Sequence, residues 1–341
     1  FEEACLSAKN RGLSYLDVST VDEILSEKVG VKVGNLSEGE SQTLMAMSEK
    51  MHHRVIGQDE AIDAVASAIK RSRSGLTNSK KPIASFLFYG PTGVGKTEVA
   101  KTLADVYYGS ENLLIRLDMS EFQEDQNLNR IIGYTDDKGN FIGGYLTEAV
   151  RSRPFSLVLL DEVEKANKKV LDLFLQVLDE GTLTDGLGRR VDFTNTIIIM
   201  TSNVGSDLIA KEIYEGKKYH DVEKMVTNKL RESYRIEFLN RFDKLIMFRP
   251  LSKIEIEQIV LLMLKKIDDN LMQKGIGISW NESTLNELAN LGYSEMFGAR
   301  ELKRIVQENI ENKLADLIIQ GKLRSGTEAV FNGLSVQQVV N

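Results

Sequence analysis

Apolar positions follow two different periods along the chain. From Ser85 onward, short apolar runs of strand length occur at residues 86–89, 113–117, 157–160, 196–200 and 245–248. Stretches of helical period separate them: Val99, Leu103 and Val106 share one face, and Val170, Leu171, Phe174, Leu175 and Leu178 repeat at 3.6 residues. Strands alternating with helices predict an α/β domain over residues 50–250, with a five-stranded parallel sheet and right-handed crossovers. After Pro250 the alternation stops. Ser252 and Glu255 form a capping box ahead of Ile256, Ile259, Val260, Met263 and Leu264. Helical patterns continue through 285–291 and 302–319, Gly321 reads as a stop, and residues 329–331 and 336–340 read as a strand pair turned at Asn332-Gly333. These features predict a second, smaller, mostly helical domain over residues 251–341.

The first 49 residues are polar with helical signals, including capping boxes at Thr20–Glu23 and Ser37–Glu40. They carry too little apolar area for a core of their own. We expect a linker or arm from an upstream module. The chain starts at Phe1 without a signal or transit pattern, which suggests a piece of a longer protein.

Composition narrows the chemistry. No apolar run approaches the ~18 residues of a membrane helix, so no membrane role is expected. Cys5 is the single cysteine, which excludes an internal disulfide and a cysteine zinc site and fits a reducing, cytoplasmic setting. The net charge of −7 disfavours an extended basic face for nucleic acid, and the nearest basic cluster is Lys70-Arg71-Ser72-Arg73. His52, His53 and His220 are too scattered for a metal triad.

The sharpest local signal is Gly90-Pro91-Thr92-Gly93-Val94-Gly95-Lys96-Thr97, a phosphate-loop pattern with a strand before it and a helix after it. Its glycines let backbone amides converge on phosphate oxygens at a helix N-terminus. Lys96 would reach the β- and γ-phosphates of ATP, and the Thr97 hydroxyl would ligate Mg²⁺. An apolar strand then ends in Asp161-Glu162. Alone, that pair reads as a strand-exit cap. With the phosphate loop, Asp161 holds Mg²⁺ through water and Glu162 is the general base. Asn203, ending the next strand, is placed to orient the lytic water, although by itself it is an ordinary turn former. Arg241 and Arg300 supply positive charge suited to phosphoryl transfer, yet from spacing alone the better reading of each is a surface ion pair.

In this order these residues resemble the AAA+ ATPases, and more narrowly the second ATPase module of the class I Clp chaperones. The strings that carry the resemblance are Arg54-Val55-Ile56-Gly57-Gln58, Phe86-Leu87-Phe88 with the 90–97 loop, Arg116 to Phe122, Val158 to Lys165, Gly188 to Phe193, Ile197 to Asn203, Glu237 to Asp243, and Gly298-Ala299-Arg300. It covers residues 17–330. It implies a P-loop NTPase core with a helical lid. Lys96 and Thr97 match Walker A, Asp161 and Glu162 match Walker B, and Asn203 matches sensor 1. Arg241 matches the trans-acting arginine finger, Arg300 matches sensor 2, and Val55 with Ile56 match the segment lining the adenine pocket. It further implies a homo-oligomeric hexameric ring that turns ATP into ADP while threading unfolded or aggregated polypeptides through its pore.

Two departures stand out. The family's pore loop carries Gly-Tyr-Val-Gly after Ala-Pro-Pro. Here the nearest aromatic–aliphatic–Gly match is Phe141-Ile142-Gly143, with Tyr134 and Tyr145 as rival aromatics. Protease-coupled members carry a ClpP-docking tripeptide after the Asn203 position. Residues 204–226 hold none, so the disaggregase type is favoured over a ClpP partner. A nucleic-acid motor and a non-hydrolysing ATP-binding module remain the competing readings.

Overall fold

The computed structural model describes Cys5, Lys9 and Val21 singly and residues 38–76, 80–293 and 298–340. The Thr20–Glu23 box and Ser37 lie outside the described residues.

Helix α1 (Glu38–His52) buries Leu44, Met47 and Met51 against α2 (Asp59–Arg71), whose inner face is Ala61, Ile62, Val65, Ala66, Ala68 and Ile69. The chain then enters β1 (Ala84–Tyr89), α3 (Lys96–Tyr108) and β2 (Leu114–Asp118). A short helix α4 (Leu128–Ile132) leads to a small antiparallel hairpin, β3 (Gly133–Thr135) and β4 (Phe141–Gly143), followed by α5 (Tyr145–Ser152). Strand β5 (Leu157–Asp161) and α6 (Lys168–Glu180) precede a second hairpin, β6 (Thr182–Thr184) and β7 (Arg190–Asp192). Strand β8 (Ile197–Ser202), helices α7 (Ser206–Tyr214), α8 (Tyr219–Ser233) and α9 (Ile236–Leu239), and β9 (Lys244–Met247) complete the large unit.

Five strands form one parallel sheet in the order β2-β5-β8-β1-β9. They are the five strands expected from the apolar runs. Strands β1, β5 and β8 are buried at every position, as a parallel sheet covered on both faces requires. Alternate residues feed two cores. Leu87 and Tyr89 join one face with Leu117, Leu160, Met200 and Phe174. Phe86 and Phe88 join the other with Leu103, Leu159, Ile199 and Phe248, and with Leu44, Met47 and Met51 of α1. Residues 38–49 are thus part of the packed body.

Beyond Pro250, α10 (Lys253–Met272) opens with the expected capping box, in which the Ser252 side chain accepts from the Glu255 amide and the Glu255 carboxylate accepts from the Ser252 amide. Then come β10 (Gly277–Trp280), α11 (Glu282–Gly292), α12 (Leu302–Val306), one π-turn (Gln307–Glu311), α13 (Asn312–Ile319), β11 (Glu328–Asn332) and β12 (Ser335–Val340). The strand pair β11–β12 turns at Gly333 with φ +58°, as expected. Strand β10 adds to it in parallel, and this strand was not foreseen. These elements share a third core around Ile256, Val260, Leu264, Leu288, Val306 and Phe331, with Trp280 packed against it.

Candidate nucleotide site

Strand β1 ends at Tyr89 and α3 begins at Lys96, so residues 90–95 form a loop between a buried strand and a helix N-terminus. Gly90, Gly93 and Gly95 all have positive φ. At Gly90 a Cβ would lie 2.4 Å from the Phe248 carbonyl oxygen, so the close approach of the neighbouring strand exit also demands glycine there. The buried Lys96 Nζ donates to the Gly90 carbonyl at 2.6 Å, the Pro91 carbonyl at 2.8 Å and Asn203 Oδ1 at 3.0 Å. Burial pushes the Lys96 ammonium down to about 8, against the opposing pull of Glu164, Asp161 and Glu162. Thr97 occupies the first turn of α3, beside the loop.

The facing wall comes from the C-terminal ends of β5 and β8, where open α/β sheets place their ligands. Asp161 is buried; its Oδ1 accepts from the Thr201 hydroxyl and its Oδ2 from Arg116 Nη2 at 2.5 Å. Glu162 takes the left-handed conformation at φ +58°, the single non-glycine residue to do so among the described residues. Its amide donates to Thr201 Oγ1 at 3.1 Å, which holds this turn. Its carboxylate meets Lys165 Nζ at 2.5 Å and lies 3.5 Å from Asn203 Nδ2. One carboxamide, Asn203, therefore spans Lys96 and Glu162. A left-handed non-glycine residue costs roughly 1–2 kcal/mol, and such strain clusters at functional sites.

The fit to a nucleotide polyphosphate and a divalent cation is good on this chain's own groups. Glycine amides, the helix N-terminus and a buried ammonium offer positive potential. The Thr97 hydroxyl and the Asp161 carboxylate, both oxygen ligands, suit Mg²⁺.

The remaining expected residues fall in distinct places. Val55 is buried and Ile56 half-buried, just ahead of α2. Arg300 is exposed and forms no ion pair among the described residues. Its neighbour Ala299 donates its amide to the Gly93 carbonyl at 2.9 Å, so the small unit touches the phosphate loop where Arg300 begins. Arg241 lies elsewhere. It pairs with Asp179 at the end of α6 and with Glu237 at 3.7 Å. Asp243 donates its amide to the Ser85 carbonyl at 3.0 Å, which sets this segment at the start of β1. The phosphate loop is at the other end of that strand, roughly 15–20 Å away at about 3.3 Å per residue. Arg241 and Lys96 of one chain are thus kept apart by the length of the sheet.

On the small hairpin, Tyr134 pairs with Ile142 and Thr135 with Phe141. Tyr134 and Ile142 are 37% and 44% exposed, and Tyr145 is 56% exposed, whereas Phe141 is half-buried with the Arg189 guanidinium 5.1 Å above its ring. Arg189 is held in turn by Asp185 at 2.6 Å and Glu148 at 2.7 Å.

Sequence reasoning did not assign roles to Arg116, Gln58, Glu164 or Lys165. Arg116 and Gln58 sat inside motif strings, but nothing in one dimension says that Arg116 reaches Asp161 or that Gln58 reaches the phosphate loop at Val94 and the strand exit at Arg249.

The comparisons with known proteins agree with this arrangement. Residues 81–245 match the AAA domain family (Cdc48 subfamily), and residues 251–331 match the C-terminal D2-small domain of ClpB proteins. Chaperone protein ClpB of Aquifex aeolicus is 47% identical over 319 residues, covering 92% of this chain and 32% of that protein. The chloroplastic chaperone protein ClpC1 of Oryza sativa subsp. japonica is 44% identical over 331 residues, covering 94% of this chain and 36% of its own length. A cryo-EM reconstruction of Hsp104 with ATPγS and FITC casein in its closed state superposes with a TM-score of 0.83 at 37% identity, over 94% of this chain and 55% of that one. The chain spans about a third of the length of these curated relatives. With an AAA sheet whose strand ends gather Lys96, Asp161, Glu162 and Asn203, and a ClpB-type small unit behind it, the chain belongs to the AAA+ ATPases as the second ATPase module of a Clp-type chaperone.

Proposed function

We propose that the chain hydrolyses ATP to unfold and thread polypeptides as one subunit of a cytoplasmic hexameric ring, a disaggregase of the ClpB type. The observation that carries this reading is Asn203 bridging Lys96 and Glu162, which ties the phosphate-binding ammonium to the carboxylate that would take the water's proton. The loop amides of residues 90–95 and Lys96 bind and orient the β- and γ-phosphates. Glu162 accepts the proton of the attacking water, and Asn203 fixes where that water sits. Thr97 and Asp161 would hold Mg²⁺, which when bound supplies charge neutralisation on the phosphate oxygens. Val55 and Ile56 form an apolar side for the adenine.

In this reading residues 1–49 come in as an arm from an upstream module whose last part, 38–49, packs onto the body, 50–250 are the nucleotide-binding domain and 251–341 the lid. The Ala299–Gly93 contact gives the lid a direct hold on the phosphate loop and supports a role for Arg300 at the γ-phosphate. Relatives named as chaperones, and the casein present with Hsp104, support a polypeptide substrate. The region after Asn203 folds as α7 and α8 without a docking tripeptide, which favours action without ClpP.

The test is Glu162→Gln. It should abolish ATP hydrolysis while ATP binding persists and the oligomer is stabilised. Unchanged hydrolysis would remove the assigned base. Tight, ATP-dependent capture of ClpP would replace the disaggregase reading with a protease subunit, and salt-sensitive DNA binding would favour a nucleic-acid motor.

A further inference from the structure

Asn203 is held from three sides. Its carbonyl accepts from the Ser206 amide at 3.1 Å and the Ser206 hydroxyl at 2.5 Å, and its side chain spans Lys96 and Glu162. Its amide donates to Glu164 Oε1 at 3.1 Å. Glu164 reaches this position because Glu162 is left-handed. That conformation swings the turn Val163–Lys165 so that Glu164 points toward β8 while Lys165 returns to the Glu162 carboxylate. The second oxygen, Glu164 Oε2, is buried without a hydrogen-bond partner among the described residues. A carboxylate oxygen left so is expensive in a fold unless its position serves something.

We propose that Glu164 is a positioning residue for ATP hydrolysis, anchoring the Asn203 main chain so that its carboxamide sits between Lys96 and Glu162. The inference rests on the ATPase reading of this site. It assigns Glu164 neither proton transfer nor contact with the nucleotide. Because Glu164 is also the foremost of the carboxylates acting on Lys96, its charge offers a rival explanation, and the two are separable by chemistry. A glutamine keeps a neutral acceptor for the Asn203 amide and removes the charge. An alanine removes both.

The experiment measures kcat and KM for ATP, with melting temperature, on the full chain. Glu164→Ala should lower kcat about tenfold or more with KM within about threefold, as loss of positioning does. Glu164→Gln should restore kcat to within about threefold of the unmodified chain. In an Asn203→Ala background, adding Glu164→Ala should change kcat by less than about twofold, because its route is already cut. Equal impairment of the Gln and Ala variants would make charge the operative property and overturn the proposal. A full Glu164→Ala effect in the Asn203→Ala background would also overturn it. If the alanine variant does not fold, Glu164→Gln carries the test alone: a folded glutamine variant with kcat down tenfold sinks the proposal. Loss of binding at Lys96, seen as a large rise in KM across every variant, would instead indict the reading of the site itself.

Discussion

The carboxamide of Gln58 pairs with the backbone of Arg249 much as a neighbouring strand would. Nε2 donates to the Arg249 carbonyl at 3.0 Å and Oε1 accepts from the Arg249 amide at 3.3 Å, while Nε2 also donates to the Val94 carbonyl at 3.1 Å. One buried side chain thus joins the phosphate loop to the segment that leads into the small unit.

Gln58→Leu should therefore do more than remove a contact. It strands two carbonyls and an amide, at about 1–3 kcal/mol per unsatisfied buried group. We expect a lower urea midpoint with an unchanged slope, and a raised KM for ATP as the loop loosens. A wild-type midpoint would mean that the three bonds are satisfied by water and hold nothing together.

Arg241 sits at the sheet end opposite the phosphate loop, beside Asp179 and Ser85. In the proposed ring its expected target is therefore a neighbour's nucleotide. Arg241→Ala should lower the ATPase rate of the oligomer by about a hundredfold or more while leaving ATP affinity close to wild type. Mixing Arg241→Ala subunits with Glu162→Gln subunits should recover activity, since some interfaces then pair an intact Arg241 with an intact Glu162. No recovery on mixing would rule out action across the interface.

The parallel sheet and the phosphate loop were legible because both depend on local order. Residues 86–89 and 157–160 are continuous apolar runs, and the 90–97 glycines fix a backbone shape within one turn. What escaped detection depends on long-range register. Strand β10 is only Gly277–Trp280 and becomes a strand because β11, about fifty residues later, offers it an edge. The hairpin strands β3 and β4 are three residues each, too short to show a period of two. Glu164 and Arg116 gain meaning only once β2, β5 and β8 lie side by side. The Phe141-Ile142-Gly143 match falls on a hairpin, and a linear motif does not say which side of a hairpin each residue takes.

That hairpin makes the next prediction. Residues directly opposite on one face of a strand pair act as a unit, so Tyr134 and Ile142 form one exposed apolar pair. Phe141 is on the other side, under Arg189. Tyr134→Ala and Ile142→Ala should slow translocation of an unfolded substrate severalfold while basal ATP hydrolysis stays within about twofold. Phe141→Ala should act through the hairpin's support, and Arg189→Ala should reproduce that effect. If Phe141→Ala alone stops translocation and the Tyr134 and Ile142 variants are normal, Phe141 turns outward in the working ring and is the gripping residue.

The joint between the two units should also be acid-sensitive. Glu255 is partly buried, which disfavours its charge. The hydrogen bonds from Arg249 and Ser252 outweigh that burial and hold its carboxyl below the ordinary 4.5. Its two oxygens take Arg249 at 3.0 and 2.5 Å. A carboxyl depressed in the folded state binds fewer protons there than in the unfolded chain. Its stabilisation is complete above the unfolded value and fades as pH falls through the folded one. Glu255→Gln keeps a capping-box side chain but not the charge. Near pH 7 the variant should be less stable by about 1 kcal/mol, the scale of a partly exposed ion pair. Urea titrations from pH 7 to pH 3.5 should show that gap closing below about pH 4.5, the ordinary range of a glutamate carboxyl. A gap that stays constant across this range would show that the Arg249 pair adds nothing beyond the cap.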